Sequence, residues 1–319
     1  MSDSLITSFI EDIQSHYNIK CSFQREITGG WKNKKWKAHS SFGDIVIKEL
    51  SDERYNISQI KRVEKALMIQ SKIYENIKIV PRIFKANKSI IQEKNKHKYM
   101  IMEYIDGEHR NTFSVNNHEL FLLGKALAYI HSIDTRNIYS NSIIIDDHFG
   151  NLHRYSKSID SSNVKHNTRF YEISNRVEKI IKMIPQDFFY KLKTGFTHSD
   201  FTKDNILFTD SNVKILDFDR GRIGYQLQDV GRGIMTFTYD GTSINKYKVK
   251  DFIKGYNTII PITKGEVYKS LRLIWVIEVT WWIQERFFDE DIEEKLRDFR
   301  EEIIWLTNNW ESLEDIIDL

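Results

Sequence analysis

Apolar residues recur at helical spacing in several stretches of the chain. Ile6, Phe9, Ile10, Ile13 and Tyr17 predict an amphipathic helix over residues 4–17, capped by Ser4 or Asp3. Ile60, Val63, Leu67 and Tyr74 predict another over 57–75, closed off before Pro81. Between them the pattern changes. Phe23–Ile27 leads into Gly29-Gly30, and Ile45-Val46-Ile47 is a β-branched strand. Ser89–Gln92 and Tyr99–Ile105 predict two more strands around the charged turn 93–98. After Asp106-Gly107 helical spacing dominates, with Leu120, Leu123, Leu127 and Ile130 on one face. Residues 170–195 are expected to be helical with a break at Pro185. A short hairpin is predicted at 205–216, and nearly everything beyond 229 reads as helix. A β-rich first third therefore precedes a helical remainder, an α+β arrangement with its seam near 104–108.

Composition narrows the function classes. Among 319 residues, 47 Lys and Arg face 45 Asp and Glu, a net of +2. That near balance argues against a nucleic-acid coat or a polybasic membrane binder. The run Lys32–Lys37 with Trp31 and Trp36 is one short basic-aromatic stretch on a neutral chain, so no nucleic-acid partner is expected. The single cysteine, Cys21, excludes an internal disulfide and fits a reducing cytoplasm. No apolar window approaches the ~20 residues a membrane helix needs, and the N-terminus lacks a signal-peptide pattern. A cytoplasmic, membrane-free protein is expected.

The chemistry concentrates in His198-Ser199-Asp200 through Asn205, followed by Asp217-Phe218-Asp219. Asp200, on a loop, can accept a proton from a hydroxyl as it attacks. Asn205 offers a neutral oxygen five residues later, and the 206–216 hairpin turns the chain so that Asp217 emerges beside it. An amide and a carboxylate side by side are oxygen ligands of the kind Mg²⁺ takes together with nucleotide phosphates. Lys48, at the end of the 45–47 strand, is placed to grip phosphate. Glu64, at the edge of the buried face of helix 57–75, is its expected ion-pair partner. Gly29-Gly30, between strands, allows close approach of backbone to phosphate.

Together these residues resemble the aminoglycoside phosphotransferase and choline kinase superfamily, small-molecule kinases with the bilobal protein-kinase-like fold. The resemblance runs from the Gly29-Gly30-x-x-Asn33 loop through Lys48, Glu64, the hinge Met102–Gly107 and Leu127–His131 to the 198–219 motifs. It extends to Asp229, where the family often has an acidic residue opening a helix. Within the superfamily it looks closest to the antibiotic-kinase, homoserine-kinase and spore-coat-kinase-like branch. The resemblance implies a nucleotide-binding lobe over 1–105 and a catalytic, substrate-binding lobe over 106–319. It makes Asp200 the base, Asn205 and Asp217 the Mg²⁺ ligands, and Lys48 the contact to the α- and β-phosphates of ATP. Glu103, Tyr104 and Ile105 would take the adenine edge through their backbone, which leaves GTP open. His198 would pin the loop, and Asp219 would either join the metal site or cap the following turn.

The chain departs from the family at Ser199, usually glycine, which must avoid positive φ or accept strain. It also lacks the A-P-E pattern and the glycine of D-F-G, which counts against a protein kinase with an activation loop. The acceptor is expected to be a small-molecule hydroxyl, with an amine-bearing antibiotic ahead of homoserine, choline or thiamine. A catalytically silent coat-type protein is the remaining alternative. Residues 285–302 hold nine acids against four bases, which suits either a cation pocket or a solvated helix face. Glu278 and Trp282, on one helix with Trp275 and Trp281, could hold an ammonium group or simply pack in the core. A monomer and a homodimer are both compatible with the sequence.

Overall fold

The computed structural model describes residues 2–28, 33–139, 147–160, 167–185, 187–190, 192–288 and 292–318. The chain runs α1 (Ser2–Tyr17), β1 (Cys21–Glu26), β2 (Lys35–Ser40), β3 (Gly43–Leu50), α2 (Ile57–Asn76), β4 (Gln92–Lys94), β5 (His97–Glu103) and α3 (Asn117–Ser132). It continues through α4 (His148–Asp160), α5 (Thr168–Met183), β6 (Thr194–Thr197), β7 (Ile206–Phe208), β8 (Val213–Ile215) and β9 (Arg222–Tyr225). It ends in α6 (Leu227–Thr238), α7 (Lys246–Asn257), α8 (Lys264–Trp282), α9 (Glu294–Asn308) and α10 (Leu313–Ile317). The expected α+β class is observed, with the sheet in the first third and helices dominating beyond it.

The described chain divides into two compact units. The first takes Met1–His109, Ile133–Asn141 and Lys203–Arg222; the second takes the rest. In the first unit five strands form one antiparallel sheet in the order β1-β2-β3-β5-β4. Strand pleating sends alternate residues to opposite faces. Trp36, Ala38, Ile45, Ile47, Tyr99 and Ile101 point to one face, where Ile6, Phe9 and Ile13 of α1 close the core. Trp36 is buried against Phe9, with ring centroids 5.9 Å apart, so it offers no base-stacking surface. The strand β2 escapes a simple sequence reading because Lys35, Lys37 and His39 alternate with its two buried residues. The hairpin β7–β8 is tied to the rest of the unit by paired backbone bonds between Glu108 and Phe208 and by Ile215 N–H to Ile79 O, 2.8 Å.

The second unit is built on the helix pairs α3–α7 and α6–α8, with α9 packed on α8. Glycines set the first pair. A Cβ on Gly124 would lie 1.9 Å from Phe252 O, and one on Gly255 would lie 1.9 Å from Phe121 O. The helix expected over 170–195 ends at Met183, and β6 begins only at Thr194. Strand β9 pairs with β6 and has no strong sequence signal, being four residues that include a glycine. Among the described residues no helix is long and apolar enough to cross a membrane.

Candidate functional site

In the first unit the site is organised around a buried ammonium group. The pleat of β3 turns Lys48 away from the α1 side, opposite Lys35 on β2 and Met100 on β5. Its side chain is 1% exposed. A charge so buried is costly unless paired. Lys48 Nζ donates to Asp217 Oδ1 at 2.9 Å and to Asp219 Oδ2 at 2.7 Å. Burial alone would lower the lysine pKa, but the two carboxylates outweigh it and hold it above its ordinary value.

The expected partner is not used: Glu64 sits half-buried on α2 and makes no ion pair with Lys48. The reason is geometric. The turn at 218–220 packs on α2 and brings Asp219 to the lysine. Asp219, 2% exposed at the side chain, neither caps that turn nor faces solvent. Its Oδ2 also accepts Tyr55 Oη at 2.6 Å and Asn33 Nδ2 at 3.3 Å, and Asn33 donates to Tyr55 Oη at 3.1 Å. Burial, and then the charge of Asp219, push the Tyr55 phenol well above its usual range, so it remains a donor.

Asp217 is the accessible carboxylate, 22% exposed, in the left-handed region at φ 58° and ψ 67°. Lys35 Nζ lies 3.9 Å from its Oδ2, and burial together with Lys48 lowers the Lys35 pKa. The hairpin behaves as its sequence predicts: Ile206 pairs with Ile215, and Leu216 N–H donates to Asn205 O at 2.8 Å. At the hinge, the Glu103 N–H is taken by Arg82 O at 2.8 Å and the Tyr104 N–H by Asp44 O at 2.9 Å. Gly29 and Gly30 lie outside the described residues.

In the second unit Asp200 is half-buried on the loop after β6. That loop is anchored by Asp229, in the first turn of α6 and 1% exposed. Its Oδ2 accepts the His198 N–H at 2.6 Å and its Oδ1 the Ser199 N–H at 2.9 Å. The His131 ring completes the anchor, with Nε2 3.2 Å from Asp229 Oδ2 and Nδ1 2.8 Å from Tyr256 Oη. Ser199 accepts positive φ, at +61°, and its hydroxyl meets Thr197 Oγ1 at 2.7 Å. The His198 side chain is fully buried, edge-on to Phe201 with centroids 6.0 Å apart. Tyr256 was not singled out in the sequence, and His131 entered only as the end of the Leu127–His131 stretch. Their only signal is a histidine ending an apolar helix, and their partner is distant along the chain.

The two residues proposed to read an ammonium have partners of their own. Arg232, buried, donates through Nε to Glu278 Oε1 at 3.1 Å, through Nη2 to Glu278 Oε2, and through Nη1 to Glu302. Trp282 donates to Glu278 Oε2 at 3.1 Å and stacks on Phe299, centroids 5.0 Å apart. Burial followed by the nearby Glu278 charge raises the Glu302 pKa against the pull of Arg232. Trp275 is core, while Trp281 is 65% exposed. Of the acidic run, Asp289, Glu290 and Asp291 lie outside the described residues. Glu285 Oε1 is buried with no hydrogen-bond partner among the described residues.

The model of the phosphotransferase enzyme family matches residues 24–256. No curated protein matches the sequence. Among solved structures, spectinomycin phosphotransferase in complex with ADP and spectinomycin superposes with a TM-score of 0.61 at 18% identity, covering 95% of this chain and 98% of that one. A choline/ethanolamine kinase family protein from Mesorhizobium loti gives 0.63 at 14%, covering 92% and 90%. The microcompartment-associated aminopropanol kinase gives 0.65 at 13%, covering 97% and 99%. These likenesses show the fold.

Proposed function

The chain belongs to the phosphotransferase enzyme family, and from that premise we propose that it moves the γ-phosphate of ATP to a hydroxyl of a small amine-bearing molecule. The observation that carries the reading is the pairing of the buried Lys48 with Asp217 and Asp219. A lysine this buried, beside one accessible and one enclosed carboxylate, suits a site that exchanges protein charges for phosphate and metal charges. The donor set fits Mg²⁺: Asp217 and Asn205 provide hard oxygens, and phosphate and water oxygens would complete the shell.

In this reading Lys48 grips the α- and β-phosphates, and Asp217 with Asn205 holds the cation. Asp200 accepts the proton of the acceptor hydroxyl while Asp229, through the backbone of His198 and Ser199, keeps its loop in place. At the hinge, the Glu103 and Tyr104 N–H groups are already committed, so Ile105 N–H is the donor assigned to the adenine edge. Bound MgATP supplies the transferable phosphoryl group and the charge neutralisation it needs.

For the acceptor, Glu285 supports an ammonium group, because its buried Oε1 has no hydrogen-bond partner among the described residues. Glu278, neutralised by Arg232, does not need one. A small amino alcohol is the second reading beside an aminoglycoside-type antibiotic. Coupled ADP release with MgATP, and with MgGTP as competing donor, across aminoglycosides and amino alcohols separates them. Asp200→Ala is expected to lower the rate 10²–10⁴-fold, the usual worth of a general base, while ADP still raises its melting temperature. Full activity in that variant overturns the assignment of the base.

A further inference from the structure

Lys48 is held by two acids that differ in kind. Asp217 is accessible, and its second oxygen lies 3.9 Å from Lys35 Nζ. Asp219 is enclosed, and the oxygen that meets Lys48 also accepts from Tyr55 and Asn33. An oxygen fixed by three donors is a rigid support, whereas an accessible carboxylate can turn to a cation. Tyr55 is itself placed by the chain around it. Its N–H bonds to Ser51 O at 3.0 Å, and it stands next to Asn56, the N-cap of α2. Asn56 and Gln59 form a reciprocal capping box that fixes where α2 begins.

We propose that Tyr55, with Asn33, is the positioning residue that orients Lys48 through Asp219, the role that Glu64 on α2 was expected to play. The inference rests on the reading of this unit as a nucleotide-phosphate site. When Asp217 turns to a cation, Lys48 loses one of its two partners. Asp219 remains, and its direction is set by the Tyr55 hydroxyl and the Asn33 amide. Without the Tyr55 hydroxyl the Asp219 oxygen loses its shortest hydrogen bond, and the ammonium group is no longer aimed at phosphate. The effect is therefore confined to ligands that carry phosphate.

The test compares two ligands in the full-length protein by calorimetry: AMP-PNP with Mg²⁺, and adenosine. For Tyr55→Phe the AMP-PNP dissociation constant is expected to rise about tenfold, the scale of a lost hydrogen bond to a charged group, with adenosine affinity within about twofold of wild type. Asn33→Ala, removing the weaker support, should shift the same ratio by a smaller factor. A global loss of structure would weaken both ligands alike, so the ratio separates positioning from folding. Unchanged AMP-PNP affinity in both variants overturns the proposal. So does a phosphate-selective loss in Glu64→Gln that Tyr55→Phe does not show. If the wild-type protein binds neither ligand, the nucleotide-site reading falls and takes this inference with it. If the wild type binds both and Tyr55→Phe is silent, only this inference falls.

Discussion

Ser199 sits at φ +61°, a region that costs an L-residue about 1–2 kcal/mol. Two short backbone hydrogen bonds to the buried Asp229, from Ser199 and its neighbour His198, hold it there. Glycine would relieve the strain, but it would lose the Thr197 contact and gain entropy in the unfolded chain. Each of those opposing effects is worth about 0.5–1.5 kcal/mol. Ser199→Gly is therefore expected to leave stability within about 1 kcal/mol of wild type and to keep activity. A β-branched side chain has no such relief, and Ser199→Val should lose stability and ADP release together. Urea denaturation and the coupled assay on both variants check this, and an active, fully stable Ser199→Val would contradict it. The alternatives at this position were legible from the sequence, since a serine where glycine is usual must either avoid positive φ or bear it. Tyr55 was not legible. It precedes the periodic part of α2, and its partner Asp219 is 164 residues away. Glu64 looked the better anchor because helical spacing places residues along a helix but says nothing about which distant turn packs against it.

At the scale of elements, helices with a long apolar stripe were read better than short strands, while α4 was not picked out by its apolar spacing. The α2 and α3 stripes were visible because three or more turns of apolar residues repeat the same angle. Strand β2 was obscured by its lysines, and β4–β5 turned out tighter than the turn read at 93–98. The two connecting residues, Asn95 and Lys96, both take positive φ, at 52° and 68°, as a two-residue hairpin with the sheet's own twist requires. The helix pair α3–α7 depends on a feature that periodicity does not reveal. Gly124 and Gly255 let each helix lie against the other's backbone, with the added Cβ of either falling 1.9 Å from a carbonyl oxygen. No side-chain rotation relieves a clash with backbone, so the helices must separate. Gly124→Ala is expected to destabilise by about 1–3 kcal/mol, the usual range for overpacking, although alanine is the better helix former. A midpoint equal to or above wild type in urea would show that the pair can slide apart freely.

At the scale of the whole molecule, the first unit is not a continuous stretch of chain. It needs Lys203–Arg222 as well as Met1–His109, because Asp217 and Asp219 are the counter-charges of Lys48. Cutting at the seam suggested by the change from strand to helix would remove both acids from a lysine that is 1% exposed in the intact unit. An uncompensated buried charge costs about 3–5 kcal/mol, comparable with the lower end of a domain's total stability of about 5–15 kcal/mol. The same cut removes the β7–β8 hairpin that pairs with Glu108, and with it the buried residues Ile206, Phe208, Val213 and Ile215. A fragment of residues 1–109 is thus expected to lack a cooperative thermal transition by circular dichroism. Lys48→Met in the same fragment removes the charge but restores none of the lost packing, so it should recover secondary structure only in part. If the unaltered fragment melts cooperatively, the acids are dispensable for folding. The pairing of Lys48 with Asp217 and Asp219 would then serve ligand binding alone.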